Sequence, residues 1–374
     1  MIWLALLIPL IAIGTLAKFY HEHISVPEYF LLFIVPIICI VIGKYSSTYS
    51  QTHDTEYWNS YGNRAMYEER WDEEVPCTHE RYRTETYTDS DGKTQTREVF
   101  DGYEHSYDVD NHPECWNLYD NIGNRFSISK KYFEQLCITW GMRKFKDMHR
   151  DYHSIDGDAY ETKYDNVFEH TVPICETHRY ENRIQCSKSV FNFRDVSLDD
   201  KEFYGLFEYP EENVFGFKTI LGGDSSTALL KLQKYNALVG FRRQLHMMIL
   251  VFKDKPLEAS LFQESYWRGG NKNEFILCIG TKNGNIAWTK VISWTEQEAL
   301  KIKVAREVKE MGKLELVKVV DYIGETVPKS FIRKEFEDFS YISVRPTNRA
   351  ILITFFITLL VTIVISIIAI NNNY

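Results

Sequence analysis

Ala350 to Ile370 reads AILITFFITLLVTIVISIIAI, 21 residues without a charge. A helix rising about 1.5 Å per residue covers roughly 30 Å over that length, the thickness of a bilayer's hydrocarbon core. A helix buried in a globular core would be shorter or would carry a polar face. This run does neither, so it reads as a transmembrane helix.

Two further apolar runs open the chain, residues 2–17 (IWLALLIPLIAIGTLA) and 29–43 (YFLLFIVPIICIVIG), each holding one proline. Both are short for a span, so tilt or bilayer thinning would accompany them. The polar link KFYHEHISVPE (18–28) makes residues 1–45 a transmembrane helical hairpin. The first run has no positive n-region and no small-x-small cleavage site, so it reads as an uncleaved anchor and not as a signal peptide. Three spans put Met1 and the large middle segment on one side. Lys44, Arg345 and Arg349 flank the membrane there, against Lys18 opposite, which places the soluble part in the cytoplasm. No ionisable residue lies inside any of the three runs, which argues against a pore or transporter.

The net charge is −9, and the middle segment holds the whole excess, 41 basic residues against 50 acidic. Such a balance argues against a nucleic-acid partner, which requires a basic face. Of seven cysteines, Cys39 sits in the second run. The other six are Cys77, Cys115, Cys137, Cys175, Cys186 and Cys278. They would pair in an oxidising compartment, and would be thiols or metal ligands in the cytoplasm.

Residues 46–213 read as a β-rich soluble module. Within it, 54–74 (DTEYWNSYGNRAMYEERWDEE) places Tyr57, Trp58, Tyr61, Tyr67 and Trp71 at helical spacing, which predicts a helix leaving the membrane. Threonine-rich arms flank Asp91-Gly92, a strong hairpin signal. The Asp89-x-Asp91-Gly92…Glu98 spacing lacks an acidic position that a calcium loop needs, and reads as a turn. A second hairpin spans 116–128, and Ser129 caps a helix that runs to Trp140 and ends at Gly141. Ser197 and Asp200 open a short helix.

From residue 214 the pattern becomes α/β. Helices are expected at 225–240, 257–267 and 296–312, the last with a Thr295/Glu298 capping box. Buried strands are expected at 246–252, 275–280, 286–293 and 314–323. The order of these elements, with YWRGGNKNEFILCIG (266–280) between the second helix and the second strand, resembles a TPM domain over about residues 214–325. That family carries a related glycine-lysine-asparagine loop and is often tethered to membranes. Gly269, Gly270, Lys272 and Asn273 would correspond to it. The resemblance implies a fold more than a function. The whole chain also resembles uncharacterised phage-encoded membrane proteins. Residues 326–349 read as a juxtamembrane helix or linker.

The chemistry-bearing side chains cluster in VPCTHE (75–80) and HSYDVDNHPEC (105–115). With Asp91 and Gly92 central in the turn, facing residue numbers sum to 183, so Cys77 meets Ser106 and His79 meets Glu104. Strand alternation puts Cys77 and His79 on one face and His105 on the other. Cys77, His79, His112 and Cys115 would then make a tetrahedral Zn²⁺ site, with His105 as an alternative ligand, and four filled positions favour a structural ion. Cys175 and Cys186 read as a disulfide or a salt-bridged turn. Asp156 and Asp158, near His149 and His153, read as an exposed turn. The GGNKN loop (269–273) offers backbone N–H groups and Lys272 to an anion, but follows a helix where a helix N-terminus would favour binding.

No nucleophile elbow, phosphate-cradling loop or zinc-protease helix is present. The expected fold is membrane-anchored α+β: a helical hairpin, a β-rich module, a TPM-like α/β module and a C-terminal span. The expected function is non-catalytic binding or assembly, with membrane lipid, other envelope proteins or further copies of the chain as partners. The alternative is a membrane-anchored, metal-dependent, phosphatase-like hydrolase using His105, Asp108 and His112 or the GGNKN loop.

Overall fold

The computed structural model describes residues 1–20, 24–88, 90, 92–186 and 193–372. Asp89 and Asp91, assigned to the hairpin turn, lie outside the described residues. The chain is mixed α+β. Three of its helical segments, Ile2–Phe19, Val26–Thr52 and Asn348–Asn371, are long and apolar enough to cross a membrane.

A 3-10 turn leads into α1 (Leu7–Phe19), and α2 spans Val26–Thr52. α2 opens with a capping box in which the Ser25 N–H and hydroxyl both donate to Glu28. It runs nine residues past the apolar 29–43 stretch and passes directly into β1 (His53–Glu68). α9 (Asn348–Asn372) packs along α2. They approach closely at Gly43, where an added Cβ would sit 2.2 Å from Thr354 Oγ1. Thr354, Thr358 and Thr362 line the buried face of α9, one turn apart. Thr354 and Thr362 bond the carbonyls one turn back, at Ala350 and Thr358, the usual way a hydroxyl is satisfied in an apolar helix bundle.

β1 corrects the helix expected over 54–74. Tyr57, Tyr61, Tyr67 and Trp71 are separated by even numbers, so the spacing that suits a helix also suits one face of a strand. Long-range pairing decides between them. The first half of β1 pairs antiparallel with β9, and its second half lies between β4 and β8. In chain order the following elements are β2 (Trp71–Thr88), β3 (Thr94–His112), β4 (Cys115–Asp120), β5 (Arg125–Ser127), α3 (Lys130–Trp140), β6 (Lys144–Lys146), β7 (His153–Ile155), β8 (Ala159–Lys163) and β9 (Pro173–Glu181). The Ser129 hydroxyl accepts from the Tyr132 N–H to cap α3, as the sequence predicts. Phe133, Leu136 and Trp140 of α3 cover Ala65, Leu118 and Ile174 of the sheet.

Next come α4 (Leu198–Tyr204), β10 (Ile220–Leu221), α5 (Ser226–Arg243), β11 (His246–Lys253), α6 (Glu258–Tyr266), β12 (Glu274–Lys282), β13 (Asn285–Ile292), α7 (Glu298–Glu310) and α8 (Leu316–Ser330). Strands β10, β11 and β12 are parallel and β13 is antiparallel to β12. Alternate side chains feed two cores, as expected for a sheet covered on both faces. Met247, Ile249, Val251, Phe275, Leu277 and Ile279 face α5, α7 and α8. Met248, Leu250, Phe252, Ile276 and Cys278 face α6 and Tyr57 of β1.

Three local expectations in this half are corrected. The strand expected at 314–323 is helix α8. Its buried Val319, Val320, Ile323 and Val327 recur every three to four residues, and this period outweighs the β-branched composition. The Thr295/Glu298 box does not form, because α7 starts after Gln297, whose own N–H bonds Thr295 Oγ1 at 3.4 Å. Gly240 does not end α5. The helix continues to Arg243, and Gly240 lets it lie against β1, where a Cβ would come 2.6 Å from that of Asn59.

Candidate functional site

The GGNKN loop follows α6 and packs against β1. Arg268, Gly269 and Gly270 all have positive φ. Space as well as conformation demands the glycines. A Cβ on Gly269 would lie 2.8 Å from the Trp294 ring, and one on Gly270 would lie 2.8 Å from Glu274 Oε2. The reversed chain then buries Asn271, Lys272 and Asn273. Asn273 Nδ2 donates to the Tyr57 carbonyl of β1 at 2.7 Å. Lys272, expected to meet an anion from solution, meets a carboxylate of its own chain. Its Nζ lies 3.7 Å from Glu56 Oε1 and 4.5 Å above the Tyr180 ring. Burial pulls its pKa down while Glu56 pushes it back up.

Glu274, the residue after the loop, is fully enclosed. Its carboxylate accepts from Asn271 N at 2.8 Å, Asn271 Nδ2 at 3.0 Å and Tyr209 Oη at 3.2 Å. Burial outweighs these bonds and pushes its pKa up from 4.5 to about 7. A cavity of about 400 Å³ adjoins the loop, lined in part by Asp54, Asn182, Tyr209 and Asn271. Asp54 Oδ2 accepts from Asn182 Nδ2 at 2.9 Å and from Tyr180 Oη at 3.3 Å. These carboxylates and phenols bond one another and link β1, β9 and the loop before β12.

The second candidate lies on the β2–β3 hairpin. Next to the turn the facing pairs sum to 182, from Thr88–Thr94 to Tyr82–Phe100, one short of the expected register, and the expected pairs of Cys77 with Ser106 and His79 with Glu104 arise only because the sum becomes 183 from Glu80–Tyr103 to Trp71–His112. A bulge between Glu80 and Tyr82, opposite Gly102 with φ +102°, shifts the outer half by one. β7 pairs only with Asp72 and Glu73 at the root. Beyond it the hairpin is an arm two strands wide and about 45 Å long, at about 3.3 Å per residue.

On one face of the arm, Cys77 Sγ lies 2.8 Å from His79 Nε2 and 3.2 Å from Ser106 Oγ, and His79 Nε2 lies 3.9 Å from Asp108 Oδ1. Among the described residues, Cys77, His79 and Asp108 are the one group of three ligand-type side chains whose donor atoms all lie within 4.8 Å of one another. His112 and Cys115 do not join them. His112 stacks on Trp71 with ring centroids 3.9 Å apart and bonds Glu73 at 3.0 Å. Cys115, on β4, faces Glu68 of β1 and accepts from Asn117 Nδ2 at 3.2 Å. The four-ligand set is therefore not assembled, because the strands run straight on past Ser106 where that set needed a return. His105 points to the opposite face, 3.3 Å from Thr78 Oγ1. The hydrolase set of His105, Asp108 and His112 is split in the same way. Asp108 was the ligand to pick out, since it shares the strand parity of Ser106 and Glu104.

Cys175 and Cys186 are free thiols. Burial pushes the Cys175 thiol up, and His178 stacks on Trp58 at 4.2 Å, so no Cys–His pair forms there. His153 bonds Asp156 at 3.1 Å beside the expected turn.

No family model, curated protein or solved structure matches this chain.

Proposed function

We propose that the chain is a membrane-anchored, non-catalytic binding protein, an accessory or assembly factor, and that the β2–β3 arm engages other membrane or envelope proteins or further copies of the chain. The arm carries this reading. A two-stranded ribbon is marginal by itself and leaves both strand edges unpaired, so a chain that keeps one this long offers it to a partner. Tyr82, Phe100, Tyr103 and Tyr107 are exposed along it, and the first three pack edge to face. Exposed aromatic clusters are typical anchors of protein interfaces.

The tethers suit the same role. α2 enters β1 without a linker, and the start of α9 is fixed to it. Thr347 N donates to Ser47 Oγ at 3.2 Å, and Gln51 Nε2 donates to the Arg345 carbonyl at 3.1 Å. In this reading the three apolar helices lie in the bilayer and the soluble part faces the cytoplasm, on the side of Lys44, Arg345 and Arg349. The 214–325 module is a TPM-like scaffold. Confinement near one leaflet raises the arm's effective concentration toward membrane partners.

Site-specific photo-crosslinking in native membranes tests the proposal. A crosslinker replacing Tyr87 or Tyr103 should give a discrete adduct, and one replacing Ile302, exposed on α7, should not. Replacing 77–106 by a short turn should abolish the corresponding assembly while leaving the thermal midpoint of the remainder unchanged. Adducts of equal yield at all three positions, or an assembly indifferent to loss of the arm, would refute it.

A further inference from the structure

We propose that Cys77, His79 and Asp108 bind one Zn²⁺ ion, which clasps the two strands of the arm between its root and its bulge. The site goes beyond the binding role and stands or falls separately from it.

The spacing fits the ion. Tetrahedral zinc with bonds of about 2.3 Å to sulfur and about 2.0–2.2 Å to nitrogen and oxygen holds its donors about 3.3–3.7 Å apart. The observed 2.8 Å from sulfur to nitrogen and 3.9 Å from nitrogen to oxygen bracket that range. All three donor atoms lie within 4.8 Å of one another, so shifts of about 1 Å at the side-chain ends bring them to the distances an ion sets. Two ligands come from β2 at i and i+2, which share a face, and the third comes from β3 through the register that sets Cys77 against Ser106. A thiolate, an imidazole and a carboxylate together suit Zn²⁺, while Mg²⁺ and Ca²⁺ take oxygen ligands. On binding, the Cys77 thiol releases its proton to solvent and the His79 ring coordinates through Nε2. Glu104 lies across from His79 on the same face and is in register to supply the fourth ligand, with water as the alternative. Thr78 and His105 occupy the opposite face and take no part. The consequence is mechanical. A ribbon with few contacts outside itself gains a cross-strand link where sheet support has just ended.

Cobalt substitution of the full-length protein in detergent tests this. Co²⁺ should bind one per chain, give thiolate-to-metal charge-transfer absorption, and be displaced by Zn²⁺. Cys77→Ser should remove the charge-transfer band, and His79→Ala and Asp108→Asn should each weaken binding by about tenfold or more. His112→Ala and Cys115→Ser should leave the band unchanged. Zn²⁺ should also slow amide exchange in residues 74–80 and 103–109 of the wild type but not of Cys77→Ser. Persistence of the band in Cys77→Ser, its loss in Cys115→Ser, or no metal uptake at micromolar Co²⁺ and Zn²⁺ would overturn the assignment. Adducts from the arm in metal-free membranes would leave the binding role standing even then.

Discussion

Arg333 Nη2 donates to Glu56 Oε1 at 2.9 Å, joining residues 277 positions apart in the chain. Glu56 is fully buried in the first strand after α2, and Arg333 lies between α8 and α9. With Lys272 as the third member, the ion cluster ties both tethered ends of the soluble part to the GGNKN loop. Removing one partner of a buried pair leaves a charge uncompensated, at about 3–5 kcal/mol. Arg333→Leu should therefore lower the urea midpoint, followed by tryptophan fluorescence, by a corresponding amount, with Arg333→Lys intermediate. An unchanged midpoint would show that Lys272 and His178, whose Nδ1 lies 3.4 Å from Glu56 Oε1, hold the carboxylate without Arg333.

Two buried groups give opposing pH dependences. Burial raises Glu274 from 4.5 to about 7, so the folded state binds its proton more tightly than the unfolded chain. The stability that this group contributes is complete below pH 4.5 and is lost as pH rises toward 7. Burial lowers His246 from 6.5 to about 3, so stability from this group is present above pH 6.5 and is lost as pH falls toward 3. Between pH 4.5 and 6.5 the two slopes nearly cancel. Glu274→Gln should unmask the histidine, with stability falling about 1.4 kcal/mol for each pH unit of acidification across that window. His246→Asn should show the reverse slope. Parallel curves for wild type and both variants in denaturant titrations would sink the prediction.

α2 and α9 pack closely at Gly43. Gly43→Val cannot fit beside Thr354 without separating the helices, since its Cβ alone would come 2.2 Å from Oγ1. Overpacking of this kind costs about 1–3 kcal/mol. The variant should lose thermal stability in detergent, and Thr354→Ala in the same chain should restore part of it. Equal midpoints for Gly43→Val and wild type would place the helices further apart than described.

Arg150 holds the root of the arm. Its guanidinium bonds Glu68 at 3.1 Å and the carbonyls of Asp156 and Gly157 at 3.0 and 2.8 Å, and lies 4.3 Å from the centre of the Trp71 ring. Arg150→Ala should cost about 3 kcal/mol by stranding Glu68 in a half-closed site. Hydrogen exchange should accelerate in residues 71–76 and stay constant in β11 and β12. Uniform acceleration across the whole chain would mean that the arm's root is not a separate unit.

What was legible in advance was local. The hairpin itself follows from turn position and strand alternation, though the bulge beside Gly102 is what sets Cys77 against Ser106, and the Ser129 and Ser197 caps follow from side chains three residues from the amides they bond. Buried strands at 246–252 and 275–280 announce themselves as short, unbroken apolar runs. Where spacing admitted two periods, reading failed. Residues 54–68 became a strand and 316–330 a helix because of the partners each found in space. The metal set failed for a related reason: His112 and Cys115 are near Cys77 only if the chain turns back after Ser106, and the ladder carries it straight on.

The sequence alone determined three long apolar helices, since apolar length is counted along the chain and needs no partner. It also determined a long hairpin, since a turn and two alternating arms are contiguous. Only the tertiary structure decided that Arg333 and Lys272 meet Glu56, that Glu274 is sealed behind Tyr209, and that Asp108 stands beside Cys77 and His79. Each of these depends on what surrounds a charge. That environment is assembled from segments tens to hundreds of residues apart, whose packing no local pattern specifies.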